Sequence, residues 1–237
     1  MDAKSLEQTL LHDIEQENIQ NQDGRLPSEP ELMEHYGVTR YTLRSTFKSL
    51  VDQGLIYQVQ GKGTYIRKRR HNNAITLDQT AGLTEEARRL GKELKTVYAK
   101  LVTIKAKDAI YLPAETDISD DEDLYYVERL RFLDEDPFVL EFSYYRKKFI
   151  PYLNQEIIDH SIYEYIKQAL KVNLGFADKF ISCEAAGENQ AEALDLSLGS
   201  PILVLNDEAY LNSGEVFNFS KLYYHPNIQF FMLAKMD

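Results

Sequence analysis

The sequence predicts an α+β protein of two domains, and three observations carry that prediction. Apolar residues in the N-terminal part recur at helical spacing. After Gly54 the pattern changes to strict alternation around a glycine-rich turn. From Ala74 onward, long alternating runs separated by a few helical stretches predict a largely antiparallel sheet. A chain of 237 residues accommodates two domains. With 43% hydrophobic and 11% aromatic residues it has enough apolar surface to build cores, which excludes global disorder.

The first helix is carried by the stripe Leu6, Leu10 and Ile14, with Ile19 as its extension, and Asn21-Gln22-Asp23-Gly24 breaks it. Leu26-Pro27 leads into Ser28-Glu29-Pro30-Glu31, a capping-box pattern with a proline tolerated in the first turn. The short helix that follows uses Leu32, Met33 and Tyr36 as apolar positions and stops at Gly37. Val38 to Leu50 forms the next helix, with Thr39 at the N-cap and Leu43, Phe47 and Leu50 on one stripe. Its other side carries Tyr41, Ser45 and Lys48, flanked by Thr42 and Arg44, with Arg40 at the tip. Two short helices joined by so tight a turn make a helix-turn-helix. Leu55–Val59 and Thr64–Ile66 read as the strands of a hairpin, or wing, around Gln60-Gly61-Lys62-Gly63. Lys62 is followed by Gly63, and six residues, not four, separate Gly54 from Gly61, so this is not a Walker loop.

Arg67-Lys68-Arg69-Arg70-His71-Asn72-Asn73 is charged and polar, and the composition shifts after it. The predicted domains are therefore residues 1–67 and 75–237, with 68–74 as linker. In the second domain, Gln79-Thr80-Ala81-Gly82 precedes a helix running to about Gly91. Strands are expected at 96–105, 124–133, 139–146, 180–185, 202–211 and 216–224, and helices at 161–170 and 188–194. The acidic run Asp117–Asp123 reads as a solvated loop, and Cys183 as a small buried residue.

The net charge of −11 argues against nucleic acid only until its distribution is read. Residues 1–75 carry ten Lys/Arg against ten Asp/Glu, so the excess acid lies entirely in the second domain. Between Val38 and His71 there are eight cations and one anion, Asp52. A local basic surface is what the release of counterions from DNA requires. Hydroxyls and cations without an intervening carboxylate on the Val38–Leu50 helix suit phosphates and base edges. A single cysteine excludes disulfides within the chain, the five histidines lack metal spacing, and no cofactor loop is present. The polar start and the lack of an apolar run of about 18 residues predict a cytoplasmic protein with no membrane partner.

The block Leu26-Pro27-Ser28-Glu29, Leu32, Tyr36-Gly37-Val38-Thr39-Arg40, Thr42-Leu43-Arg44, Leu50, Gly54-Leu55-Ile56 and Gly61-Lys62-Gly63-Thr64-Tyr65-Ile66 closely resembles the winged helix-turn-helix domain of the GntR family of bacterial transcription regulators. The resemblance covers about residues 5–67 and departs at Pro30, where many members carry a basic or polar residue. It implies that Thr39, Arg40, Tyr41, Thr42 and Arg44 meet the major groove and its phosphates, with Lys48 on the same face, and that Gln60, Gly61 and Lys62 form the wing tip at the minor groove.

The second domain resembles the UTRA ligand-binding domain of the HutC subfamily, whose fold is similar to chorismate lyase. The landmarks are Gly82-Leu83, Gly91, Val127–Arg131, Glu141–Tyr144, Ser161–Tyr165, Asn218–Lys221 and Tyr224. Members that sense phosphorylated sugars imply a phosphate held by Gly82 and Leu83 with Arg129 and Arg131, and a sugar near Glu141, Ser161, Tyr163, Asn218 and Tyr224. Asn218 stands where amino-sugar sensors usually carry an acid, which leaves glucosides, trehalose phosphate or another sugar open. Independently of any family, Arg129 and Arg131 share one face of a strand, and paired guanidiniums there need an anion or buried carboxylates. Cross-strand pairing with Glu141 is the structural alternative for the arginines, and capping of the following helix the alternative for Ser161. The expected function is a homodimeric repressor of a sugar-utilisation operon, released from operator DNA by a phosphorylated sugar. A regulator sensing a carboxylate such as an amino-acid derivative is the alternative. A lyase-like enzyme ranks third, because no nucleophile–base pair is evident and fold does not carry function.

Overall fold

The computed structural model describes the whole chain except residues 17, 22, 68–73, 78–81, 115, 116, 171, 233 and 235–237, and only the backbone of residues 15 and 89. It divides into two compact units, Met1–Asn72 and Asn73–Met232. The expected linker at 68–74 falls almost wholly outside the described residues. Among those described, no helix is long and apolar enough to cross a membrane.

The first unit is built from three helices and a hairpin. Helix α1 (Ala3–Glu15) is capped by Asp2, whose carboxylate accepts from the Ser5 N–H at 2.8 Å. Helix α2 (Glu29–Tyr36) opens where the Glu31 carboxylate accepts from both the backbone N–H and the hydroxyl of Ser28, and ends on Gly37 at φ +62°. Helix α3 (Arg40–Asp52) starts on Thr39, whose hydroxyl accepts from the Thr42 N–H at 3.2 Å, as expected for the N-cap. Leu6, Leu10, Leu32, Leu43, Phe47 and Leu50 close into one core, and Ile19 packs on it from beyond the end of α1. Tyr36 donates to Asp13 at 2.7 Å and Thr46 to the Ala3 carbonyl at 3.0 Å, tying both later helices to α1.

Strands β1 (Ile56–Val59) and β2 (Gly63–Ile66) pair antiparallel, and Arg25 bridges to Tyr65 on the outer side. Gly63 sits at φ +125°, and a Cβ there would lie 2.9 Å from the Arg25 Nε, so only glycine fits.

In the second unit β3 (Ile75–Thr76) precedes α4 (Leu83–Arg89), which ends two residues short of Gly91. The main sheet uses β4 (Leu94–Lys105), β5 (Asp123–Leu133) and β6 (Asp136–Arg146). Helices α5 (Gln155–Asp159) and α6 (Ile162–Tyr165) follow, and α6 widens into a π-turn at Ile166–Leu170. Then come β7 (Leu174–Ala185), α7 (Glu188–Ala193), β8 (Pro201–Leu211), β9 (Val216–Tyr224) and β10 (Phe230–Phe231), the last pairing parallel with β3. The six strands run β4-β5-β6-β9-β8-β7, every pair antiparallel.

Several expectations need correction. Strand β7 begins six residues earlier than the alternation indicated, because it is an edge strand exposed along most of its length. Cys183 lies on it and is exposed, not buried. The acidic run is more than solvated loop. Asp117 and Glu122 clamp the fully buried Arg146 guanidinium at 2.7 Å and 2.6 Å, because a buried cation requires carboxylate partners.

Leu43→Ala removes the side chain at the centre of the first core and should cost that unit about 2–5 kcal/mol. Calorimetry of the full chain is expected to resolve one transition that moves down while the other stays.

Candidate functional site

The first unit presents one polar surface. Alternating burial along α3 places Leu43, Thr46, Phe47 and Leu50 inward, leaving Arg40, Tyr41, Arg44 and Lys48 exposed. Tyr41 is 84% exposed, a large aromatic ring left to solvent. The Thr39 and Thr42 hydroxyls lie 3.0 Å apart at the helix start. Arg44 is not a free cation: its Nε donates to Glu29 on α2 at 3.3 Å, across a largely exposed pair. Gln60, Gly61 and Lys62 form the exposed hairpin tip, where Gly61 takes φ +74° and the Lys62 N–H closes the turn on the Val59 carbonyl at 3.0 Å.

The second unit contains a cavity with about 980 Å³ of empty space, including its open mouth. All nine residues singled out from the sequence line it: Gly82, Leu83, Arg129, Arg131, Glu141, Ser161, Tyr163, Asn218 and Tyr224. Strand alternation explains most of this convergence. Arg129 and Arg131 on β5, Glu141 on β6, and Asn218 and Tyr224 on β9 sit at positions of one sheet face.

The two arginines have different environments. Arg129 stands directly across from Glu141 and donates to it at 2.8 Å and 3.1 Å, while its Nη1 donates to the Ile158 and His160 carbonyls at 3.1 Å. Its five N–H groups are thus occupied by the protein. Burial pushes the Glu141 carboxyl up, but Arg129 and then Arg131 pull it further down, so it titrates below its ordinary 4.5. Arg131 is 4% exposed and stands across from Val139. Its Nη2 donates to Thr84 on α4 at 3.2 Å, and its Nε has no partner among the described residues. Burial, and then the Arg129 cation, bring its pKa down to about 9, which still leaves it charged at neutral pH.

The remaining polar groups form a connected network. Ser143 donates to Glu141 at 2.6 Å and meets Ser220 at 2.8 Å. Asn218 donates to the Tyr144 carbonyl and accepts from the Tyr163 hydroxyl, both at 3.0 Å. The Ser161 hydroxyl accepts from the Glu164 N–H at 3.3 Å, capping α6. Gly82 caps α4 against Tyr163, where an added Cβ would sit 3.4 Å from the Tyr163 Cβ. Burial raises Tyr163 and Tyr224 well above 10, so both stay phenols.

The sequence reading missed Tyr145, Lys179 and Asp207 on the same wall. For Asp207 the signal was available: alternation along β8 places it on the face of Leu205 and Ala209, an acid at an inward strand position. Among the described residues no three His, Cys, Asp or Glu side chains gather to hold a metal ion.

The model for bacterial regulatory proteins of the gntR family matches residues 2–66, and that for the UTRA domain matches residues 89–228. The chain belongs to the GntR family. The uncharacterized HTH-type transcriptional regulator YydK of Bacillus subtilis (strain 168) is 33% identical over 213 residues, covering 90% of this chain and 88% of the relative. The HTH-type transcriptional regulator TreR of the same organism is 30% identical over 219 residues, covering 90% of each. The mannosyl-D-glycerate transport/metabolism system repressor MngR of Escherichia coli (strain K12) is 26% identical over 196 residues, covering 83% of this chain and 80% of the relative. The crystal structure described as possible transcriptional regulator YydK of B. subtilis superposes with a TM-score of 0.83 at 30% identity, covering 99% of this chain and all of that one. These relatives are consistent with the HutC subfamily, and they are transcriptional regulators, not enzymes. As a GntR regulator with a UTRA domain, the chain binds operator DNA through its first unit and a small-molecule effector through its second.

Glu141→Gln should leave Arg129 buried without its anion, costing about 3–5 kcal/mol at pH 7. Because folding lowers the Glu141 pKa, its stabilisation is complete above the ordinary value of 4.5 and disappears as pH falls through the folded value. Urea unfolding of both proteins between pH 7 and pH 3 should therefore converge toward the acid end. A gap independent of pH would contradict the assignment.

Proposed function

We propose that this GntR regulator represses a sugar-utilisation operon as a homodimer and leaves its operator when a phosphorylated sugar enters the UTRA cavity. The observation that carries the reading is Arg131: a buried guanidinium whose Nε has no partner among the described residues, bordering an open cavity walled by tyrosines and an amide. Such a cation is costly unless an anion completes it, and guanidinium matches a phosphate in bidentate geometry. Arg131, Thr84 and the backbone at Gly82-Leu83 are assigned the phosphate. Tyr163, Asn218 and Tyr224 are assigned the sugar, with Ser161 at the rim, and Arg129 with Glu141 holds the wall in place. The likeness to MngR, the repressor of a mannosyl-D-glycerate transport/metabolism system, supports the sugar class.

On the DNA side, Thr39, Arg40, Tyr41, Thr42, Arg44 and Lys48 are assigned to the major groove and its phosphates, and Gln60, Gly61 and Lys62 to the wing contact. Two heads in a symmetric dimer would read half-sites about one helical turn apart. Effector release requires that the ligand bind the DNA-incompatible arrangement more tightly than the compatible one.

Arg131→Ala should abolish the thermal shift given by hexose and disaccharide phosphates, where a saturating ligand at 100 times its Kd adds about 2.7 kcal/mol. The screen also contains amino acids. Stabilisation by these and by no phosphate would replace the sugar phosphate with a carboxylate effector.

Arg40→Ala should eliminate gel-shift binding to an operator fragment selected from genomic DNA by the unsubstituted protein, while the effector-induced thermal shift persists. Unchanged operator affinity would remove Arg40 from the interface.

A further inference from the structure

The cavity holds a second unsatisfied charge that the proposed phosphate site does not use. Asp207, on β8, borders the cavity, and its Oδ1 is closed off from solvent with no hydrogen-bond partner among the described residues. Lys179 stands directly across from it on β7 and attracts it through space, yet no hydrogen bond from Lys179 reaches that oxygen. Burial raises the Asp207 pKa, and the nearby Glu141 and Glu208 carboxylates push in the same direction. The site therefore disfavours a bare carboxylate and would gain from a donor brought by the ligand.

Placement gives this charge a meaning. Through the strand register, Asp207 aligns with Ser220, Ser143 and Val127, whereas Arg131 aligns with Val139, Tyr224 and Leu203. The two residues are thus three strands across and four residues along from each other, about 20 Å between backbones on standard sheet spacings before their side chains lean inward. The separation far exceeds that between the charges of an α-amino acid. Between them, Arg129 and Glu141 cancel each other. A phosphate brings about 1.5–2 negative charges, more than Arg131 alone offsets, and it would enter a cavity that already holds the Asp207 carboxylate, whose Oδ1 accepts no hydrogen bond among the described residues.

We propose that Asp207 is a specificity-determining residue that pairs with a cationic nitrogen on the effector, so that the ligand is an elongated molecule with a phosphate at the Arg131 end and an amine at the Asp207 end. This deepens the phosphorylated-sugar reading and rests on it. It distinguishes an aminated sugar phosphate from its hydroxyl counterpart, a choice that Arg131 cannot make.

The test uses the full-length protein and two matched pairs in isothermal titration: glucosamine 6-phosphate against glucose 6-phosphate, and 1-amino-1-deoxyfructose 6-phosphate against fructose 6-phosphate. The amine of at least one pair should bind about tenfold or more tightly than its partner, the scale of a close charge pair. Asp207→Asn keeps the side-chain shape and should bring the two members within about threefold, while Arg131→Ala should weaken both alike. Equal binding within both pairs, with the Arg131 dependence intact, overturns the role of Asp207 and leaves the phosphate reading standing. Failure of all four compounds to bind overturns the phosphate reading and this proposal with it. If Asp207 only balances Lys179, Asp207→Asn lowers the unfolding temperature without moving the ratio within either pair, and the proposal falls.

Discussion

The buried pair between Arg129 and Glu141 determines what the cavity of the second unit can receive. Two residues on neighbouring strands meet face to face, and the guanidinium's remaining donors close on the carbonyls of Ile158 in α5 and of His160 just beyond it. Strand β5, strand β6 and the end of a helix are thereby fixed to one another by a single side chain. The cost of burying both charges is offset only because every donor is used. Arg131, two residues further along the same face, is left without that compensation. Its neighbour consumes the nearby carboxylate and repels it as a like charge. One arginine completes the scaffold, and in the proposed reading that leaves the other to an anion from outside.

The two units use the same residue type in opposite solvent regimes. Arg40 and Lys48 are exposed, where water screens them and where many weak phosphate contacts sum to a salt-sensitive affinity. Arg131 is shielded from water, where one contact to one small anion is screened little and depends on geometry. Arg44 lies between these regimes. Its contact with Glu29 holds the long side chain near the start of α2 at small energetic gain, which pre-positions it on the surface assigned to DNA.

The first unit was legible in the sequence because each of its decisions is local. Thr39 caps its own helix, Gly37 ends the preceding one, and Gly63 permits a backbone angle no other residue fits. The sheet of the second unit was legible as a set of alternating runs, and alternation alone placed Arg129 and Arg131 on one face, while the other cavity residues were reached only through the family resemblance. What stayed hidden depends on register. Nothing in the spacing of Arg129 and Arg131 says that the first falls opposite Glu141 and the second opposite Val139. Edge strand β7 hid its start because Gly175, Asp178 and Lys179 interrupt the alternation where neither face is fully covered. The Asp207–Lys179 juxtaposition was hidden with it.

A route from the cavity toward the DNA-binding unit is short in covalent terms. Arg131 touches Thr84 in the first turn of α4, and Glu86 on the same helix accepts from the backbone N–H of Thr76 at 2.9 Å. Thr76 belongs to β3, which lines the cavity and directly follows the segment leading from the first unit. In the proposed reading, an anion on Arg131 alters the position preferred by α4, and β3 is bonded to that helix. The energetic demand on such a route is definite. Moving a dimer from 99% DNA-competent to 1% requires the ligand to favour the second arrangement about 10⁴-fold, close to 5.5 kcal/mol. A single surface contact cannot supply that difference, whereas a buried guanidinium that is unsatisfied in one arrangement and satisfied in the other is a group of the required scale.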